Sequence, residues 1–385
     1  VQDLFVERRL FTPGPTPAPE CVKVKYLETS TYHRSPEFEA VFKETTLLLK
    51  KLFNSSTTPI VLTSSGTGAL EAALVNLTSP NDEVVVISCG KFGQRWHKLA
   101  TAYRCKVHLV ESSLESQLDL NSLKEVLTKS PFIKAVFLQA HETSTGMLLP
   151  VEEISKCVKE ISPNALIIVD AVSSLGAHGL DVSGWGLDCA ISGSQKGFGV
   201  APGLAFLALS ERAWLRQSET LRPKFYFDLA KERQGQSSGR SSYTPAISLV
   251  LGLHAALVEI DRIGFAEFVN HHVRMGQAAR AAFQAMNLEF FLPEAVRSNV
   301  LTTIIVPKGI DGGAVLRHAK ESYGAVISGG QDELKGKIIR FSHLGFVSQF
   351  HLLQGVIALE YSLRHFGHTF ELGAGVSAAM KSLLK

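Results

Sequence analysis

Short apolar runs alternate with helical stretches through the first half of this chain, and that alternation limits its fold more than any other feature. The runs fall at 60–63, 84–88, 106–110, 134–139, 166–170 and 188–192 and are rich in Val and Ile. Helical spacing separates them near 67–76, 92–103, 121–129 and 151–161. Strands that are apolar in every position must be covered on both faces. Strand–helix alternation also makes their sheet mostly parallel, because each helix carries the chain back across a face. "PGLAFLALS" adds one more strand.

The pattern changes after about residue 245. Helical stretches at 246–263 and 265–287 precede runs at 300–306, 325–328 and 338–342, with helices near 312–323 and 348–366. This predicts a smaller α+β unit. At the other end, "FTPGPTPAP" has neither period and reads as an arm. A helix follows it, with Phe38, Val41, Phe42, Thr45, Leu48 and Leu52 on one face. Ser35 is its N-cap and Pro36 its first-turn proline. The predicted division is an arm at 1–20, a large domain at 21–255 and a small C-terminal domain at 256–385. The 385 residues suffice for two cores.

Charge and cysteines narrow the function. The formal charge is +3 with no Lys/Arg block, which predicts no nucleic-acid partner. The five cysteines are widely spaced without a CxxC pair, so neither zinc nor a disulfide framework is expected. No apolar run reaches the length of a membrane span. "VQDLFVERRLF" lacks an apolar signal core. The expectation is a cytoplasmic chain without metal or membrane.

Ligands of open parallel sheets bind outside the carboxyl ends of the strands, so the chemistry belongs in the turns that follow them. In "LTSSGTGALEAAL", Ser65, Gly66 and Thr67 open a helix. Free N–H groups there suit an anion, or simply a helix cap. In "SCGKFGQRW", Phe92 starts a helix between Gly90 and Gly93, as a core ring or a ring stacked on a planar ligand. "QAHETSTGMLLP" crowds His141, Glu142, Thr143, Ser144 and Thr145 at a strand end. Asp170 ends the apolar strand of "ALIIVDAVSSLG", and a buried carboxylate needs a cation, a metal or a turn to cap. Lys196 lies 26 positions on, in "ISGSQKGFGVAPG". Burying a lysine is costly. A desolvated one has a lowered pKa and attacks carbonyl carbon. Pyridoxal phosphate uses all five: a phosphate cradle, a stacking ring, hydroxyl donors, an acid and a Schiff-base lysine.

The chain resembles the class V (fold type I) pyridoxal-phosphate aminotransferases, and within them the alanine–glyoxylate / serine–pyruvate group. "PGPTP", "SGTGALEAALVN", "FGQRW", "ETSTG", "VDAVSSLG", "SGSQKGFGVAPG", "YTPAISL" and "IIRFSHLGF" occur in the family's order. The resemblance implies that Lys196 forms the Schiff base and Asp170 pairs with the ring nitrogen. It implies that Phe92 and Val172 pack on the ring and that Thr143 lies near the ring hydroxyl. Ser65, Gly66, Thr67 and Gln195 would hold the phosphate. Tyr243 or Thr244 would reach the phosphate of the neighbouring subunit in a homodimer. Arg340 would bind the substrate carboxylate, and Gly14 belongs to the arm over the substrate. The implied reaction moves an amino group from alanine or serine to a 2-oxo acid such as glyoxylate or pyruvate.

Two positions depart from the family pattern. Phe92 stands where tryptophan is common, and His343 stands where a smaller apolar residue is expected, which leaves the exact substrate open. Three alternatives remain: a lyase, an aminoethylphosphonate-type transaminase, and a non-catalytic subunit that kept the fold. A cysteine desulfurase needs a late nucleophilic cysteine, and the last one here is Cys189.

Overall fold

The computed structural model describes residues 6–28 and 30–385. Its strands, in chain order, are β1 (Arg9–Phe11), β2 (Ile60–Thr63), β3 (Glu83–Ser88), β4 (Lys106–Glu111), β5 (Ala135–Gln139), β6 (His141–Glu142), β7 (Met147–Leu148), β8 (Leu166–Asp170), β9 (Cys189–Gly193), β10 (Leu204–Leu209), β11 (Leu301–Ile305), β12 (Ala325–Gly329) and β13 (Ile338–Ser342). Seven of them form one sheet in the order β2-β10-β9-β8-β5-β3-β4.

That sheet is parallel from β4 across to β9, as the alternation predicts. β10 runs antiparallel to both β9 and β2. The reversal leaves β2 pointing the same way as β9, so the carboxyl ends of β2, β3, β5, β8 and β9 share one edge. Side chains alternate across each strand. Val85, Ile87, Val136, Leu138, Ile167 and Val169 enter one core, and Val84, Val86, Phe137, Leu166 and Ile168 enter the other. Phe137 is fully buried against the Trp96 ring, with centroids 4.7 Å apart. A fully buried side chain of this size contributes about 1.5–3 kcal/mol.

A second sheet has the order β1-β12-β13-β11. It packs Ile339 and Phe341 against the long helix Phe265–Ala285 and the helix Gln349–His365, through Phe283, Leu352 and Val356. The arm does not stay irregular. Arg9–Phe11 pairs in parallel with Ala325–Ile327, and Phe11 stacks on Phe341 at 5.2 Å. Three residues carry no readable period, so only the partner strand makes this segment a strand. Beyond Phe11 the arm crosses to the large sheet, where Thr16 Oγ1 donates to the Lys196 carbonyl at 2.6 Å.

Candidate active site

The shared strand edge puts five turns side by side. Register aligns Gln139, Asp170 and Ile191 on β5, β8 and β9. The turns carrying Thr143, Asp170 and Lys196 therefore follow adjacent strands. They surround a cavity of about 560 Å³. Ser65, Gly66, Thr67, Phe92, Thr143, Asp170, Val172, Gln195 and Lys196 all line it, and so do Leu70, Arg95, His141 and Ser173.

One wall is the start of the helix Gly66–Leu77. Ser65 caps it by accepting the Gly68 N–H at 3.2 Å. The first-turn N–H groups and the helix dipole favour an anion at this end. Arg95 adds a full positive charge there, with Nη1 donating to Thr67 Oγ1 at 3.0 Å. Its guanidinium lies 4.8 Å from the Phe92 ring centroid. The sequence reading missed Arg95. The signal was its position three residues after Phe92, on the same helical face.

Glu142 fixes the Phe92 wall. Its buried Oε2 accepts the N–H of Phe92 at 3.0 Å and of Gly93 at 3.3 Å. Its Oε1 accepts the Ser144 N–H at 3.1 Å. A carboxylate is well placed at the start of the helix Lys91–Ala102, although burial raises its pKa. Gly93 permits the close packing, since a Cβ there would lie 2.5 Å from the Ser88 Cα.

Asp170 is 8% exposed, and Oδ1 accepts the Val172 N–H at 2.9 Å. Burial pushes its pKa up to about 6, against the pull of that N–H and of the Arg95 and Lys196 charges. Burial pushes Lys196 down to about 8, partly offset by the attraction of Asp170 and reinforced by Arg340 and Arg95. Lys196 Nζ donates to the Pro13 carbonyl. The lysine is thus a weakened base beside an acid that burial keeps partly protonated.

Arg340 is 5% exposed and bonds to Thr143, a residue of the cavity lining. Nε donates to the Gly329 carbonyl at 2.8 Å and Nη1 to the Thr143 carbonyl at 2.7 Å. Both partners are neutral. The Glu142 carboxylate favours the charge without a salt bridge to it, and a buried guanidinium with neutral bonded partners is suited to an incoming anion.

The aminotransferase class-V family profile matches residues 10–345. The chain belongs to the class V aminotransferases. It is 38% identical to the soluble hydrogenase small subunit of Synechococcus sp., over 97% of this chain and 98% of that one. It is 32% identical to the L-aspartate–glyoxylate aminotransferase of Paracoccus denitrificans, covering 97% of this chain and 95% of the relative. It is also 32% identical to the serine–glyoxylate aminotransferase of Arabidopsis thaliana, covering 96% and 94%. Among solved structures, the alanine–glyoxylate aminotransferase of Nostoc sp. superposes with a TM-score of 0.88 at 29% identity, covering 94% of this chain and 97% of that one.

This class V aminotransferase is a pyridoxal-phosphate-dependent transaminase. The cavity fits that cofactor. It offers an anion-binding helix start with Arg95, a buried acid and a lysine of lowered pKa. Gln195, on the cavity wall, has a buried Oε1 without a partner among the described residues.

Four expected residues stand apart from the cavity lining, Arg340 among them. Tyr243 stacks on Tyr226 at 5.2 Å and donates its hydroxyl to the Phe225 carbonyl at 3.0 Å, and Thr244 is exposed. The expectation for this pair concerns the cavity of a second subunit. Gly14 sits directly over the lysine. Its φ is +128°, and a Cβ there would lie 2.5 Å from Lys196 Cδ and 2.6 Å from Nζ. Gly14→Ala is expected to destabilise the fold by about 1–3 kcal/mol, because the lysine tip can swing away but the backbone angle cannot relax. Denaturant unfolding checks this, and an unchanged midpoint would contradict the backbone requirement for glycine at this position.

His343 departs from the family pattern without touching the cavity. It is fully buried, with Nε2 3.1 Å from Thr302 Oγ1. Its ring packs beside Gly276 on the helix Phe265–Ala285, where a Cβ would lie 3.2 Å from His343 Cε1. The extra ring volume is taken up by a glycine on the facing helix.

Proposed function

We propose that this aminotransferase moves the amino group of a small neutral amino acid, alanine or serine, to glyoxylate or pyruvate. Arg340 carries the reading. It is one buried guanidinium whose bonded partners are both neutral carbonyls, and a planar fork suits an α-carboxylate. Arg95 is the guanidinium that lines the cavity among the described residues. Its bond to Thr67 ties it to the phosphate end, away from a substrate side chain. The alanine–glyoxylate and serine–glyoxylate relatives support the same substrate class. The hydrogenase name of another relative suggests an accessory subunit, and no observation in this chain favours that reading.

Bound pyridoxal phosphate supplies an aldehyde carbon for the amino group and a ring that accepts the electron pair from the substrate Cα. Ser65, Gly66, Thr67 and Gln195 hold the phosphate, with Tyr243 or Thr244 added from a second subunit of a homodimer. Phe92 and Val172 clamp the ring, and Thr143 faces its hydroxyl. Asp170 keeps the ring nitrogen protonated. Lys196 would hold the cofactor's carbonyl carbon, and its amine, of lowered basicity, would when free move the substrate Cα proton. Arg340 orients the carboxylate, and the arm at Gly14 limits water. The same reading keeps the arm at 1–20, the cofactor domain at 21–255 and the small domain at 256–385, in the cytoplasm.

The test is a panel of amino acids against glyoxylate and pyruvate, run with the wild type and Arg340→Lys. Alanine, serine or glycine should outrun aspartate and glutamate. Arg340→Lys should raise KM for all of them about 10- to 100-fold, since an ammonium cannot replace two parallel hydrogen bonds worth roughly 1.5–3 kcal/mol. A clear preference for dicarboxylic donors, or an unchanged mutant, would overturn this reading.

A further inference from the structure

A second cavity, of about 220 Å³, lies where the turn between β6 and β7 meets the small sheet. Gly146 lines it from the turn, and Thr302 and Thr303 line it from β11. Hydrogen bonds hold the two sides together. Thr303 Oγ1 donates to the Thr145 carbonyl at 2.6 Å, and the Ser298 N–H donates to the Gly146 carbonyl at 3.2 Å. Two guanidiniums line the same space, Arg280 from the helix Phe265–Ala285 and Arg297 from the segment before β11. The reaction proposed above uses neither of them.

Both guanidiniums are short of negative partners. Arg280 Nη1 donates to the Ser298 carbonyl and Nη2 to Asn299 Oδ1, each at 3.3 Å. Arg297 Nε donates to the Leu292 carbonyl at 2.8 Å, and its guanidinium carbon lies 4.2 Å from the Phe290 ring centroid. All of these partners are neutral. A guanidinium has five N–H donors, so each arginine keeps donors without an acceptor among the described residues. Neither forms an ion pair among those residues. The exposed Glu294 carboxylate favours both charges from beyond ion-pair distance. Burial and the Arg297 charge press the Arg280 pKa down, yet an arginine does not deprotonate in a protein. Two like charges that share a cavity and cannot ionise away are relieved by an anion between them.

We infer that Arg280 and Arg297 form a binding site for a single halide ion, with chloride as the ligand. Size selects the class. The open centre of the cavity holds about one water-sized body. Chloride is close to that size, whereas carboxylate, phosphate and sulfate are larger. A water molecule also fits, but it leaves two positive charges facing each other. A halide offsets that repulsion and accepts N–H groups from both forks. Gly146 keeps the space open on the turn side. Its φ is +91°, and a Cβ there would lie 2.8 Å from Leu301 Cδ1 and 3.0 Å from Thr303 Oγ1. Arg297 pairs with Met147 in an antiparallel bridge, so the ion ties the helix of Arg280 to the turn between β6 and β7. That turn carries Thr143, whose carbonyl accepts from Arg340. The ion thus steadies one wall of the active site from behind, whatever the substrate.

The experiment is the thermal midpoint of the holoenzyme, titrated with chloride against gluconate at constant ionic strength. Tm should rise along a saturable curve, as for any ligand that binds the folded state alone. Sulfate should give only an unsaturable rise, through its general exclusion from protein surface. Arg280→Gln and Arg297→Gln should each weaken the apparent chloride affinity about 10- to 100-fold, the effect of losing one charged hydrogen bond. Arg340→Lys should leave that affinity unchanged, which separates this site from the active site. Bromide soaked into wild-type crystals should give an anomalous peak between the two guanidiniums, and this carries the test if the variants fail to fold. A water there without anomalous signal would overturn the inference. So would a chloride curve unchanged in both arginine variants, or a bromide peak with no saturable chloride effect, which would mark an adventitious ion only.

Discussion

Replacing Lys196 with alanine should cut amino transfer by more than about 1,000-fold while the fold and non-covalent cofactor binding survive. The lysine has two tasks, and alanine can do neither. In the proposed reaction its amine would bond to the cofactor carbonyl and, once free, carry the Cα proton. General acid–base work alone is worth roughly 100- to 10,000-fold, and loss of the covalent nucleophile adds to it. The structure prepares both tasks. Burial and the Arg340 and Arg95 charges bring the Lys196 pKa down to about 8, so the neutral amine is roughly a tenth of the total at pH 7, far more than for an ordinary lysine. Small residues and the Gly14 turn leave the tip space to move. Borohydride reduction followed by peptide mapping should place the cofactor on Lys196 in the wild type and on no lysine in the mutant. A label elsewhere would remove the whole site assignment.

Asp170→Asn should lower kcat by about 100- to 1,000-fold, the usual cost of losing one preorganised electrostatic contact in a buried site. An amide keeps the shape and can still accept the Val172 N–H, but it cannot hold a proton on the ring nitrogen. The same mutant should be more stable than wild type when both lack cofactor. Folding raises the Asp170 pKa from 3.8 to about 6. A carboxyl with a raised folded pKa costs stability as pH rises through its unfolded value. The cost is complete above the folded one. Above pH 6 the apo mutant therefore escapes a penalty on the order of 3 kcal/mol, and below about pH 4 the two proteins converge. Steady-state kinetics of the holoenzymes and unfolding of the apo proteins across pH measure the two effects. Near-normal turnover would contradict the ring-nitrogen role, and a less stable apo mutant at neutral pH would contradict the burial argument.

Much of this site was legible because its signals are local. A strand apolar in every position must be buried on both faces, so its polar end residue stands out; Asp170 and Lys196 were found that way. The helix start after Thr63 and the polar turn after Gln139 were found by the same rule. Four helices, Glu20–Lys25, Glu211–Glu219, Leu229–Ser237 and Ala374–Leu383, were missed. The last is built largely of small residues that pack closely on a neighbour, with Gly375 beside Glu360 and Met286. Contact of that kind leaves little period to read.

The sequence by itself determined the strand–helix order, the turn contents and the two titratable groups, because each depends on residues a few positions apart. Tertiary structure decided the rest. Whether β10 runs antiparallel depends on which strands flank it, and the arm becomes a strand only through Ala325–Ile327. Arg95 enters the cavity, His343 stays out of it, and His141 meets Ser298 across 157 positions. These outcomes depend on hydrogen bonds and packing between segments far apart in the chain. No local period encodes which distant partner satisfies a buried polar group.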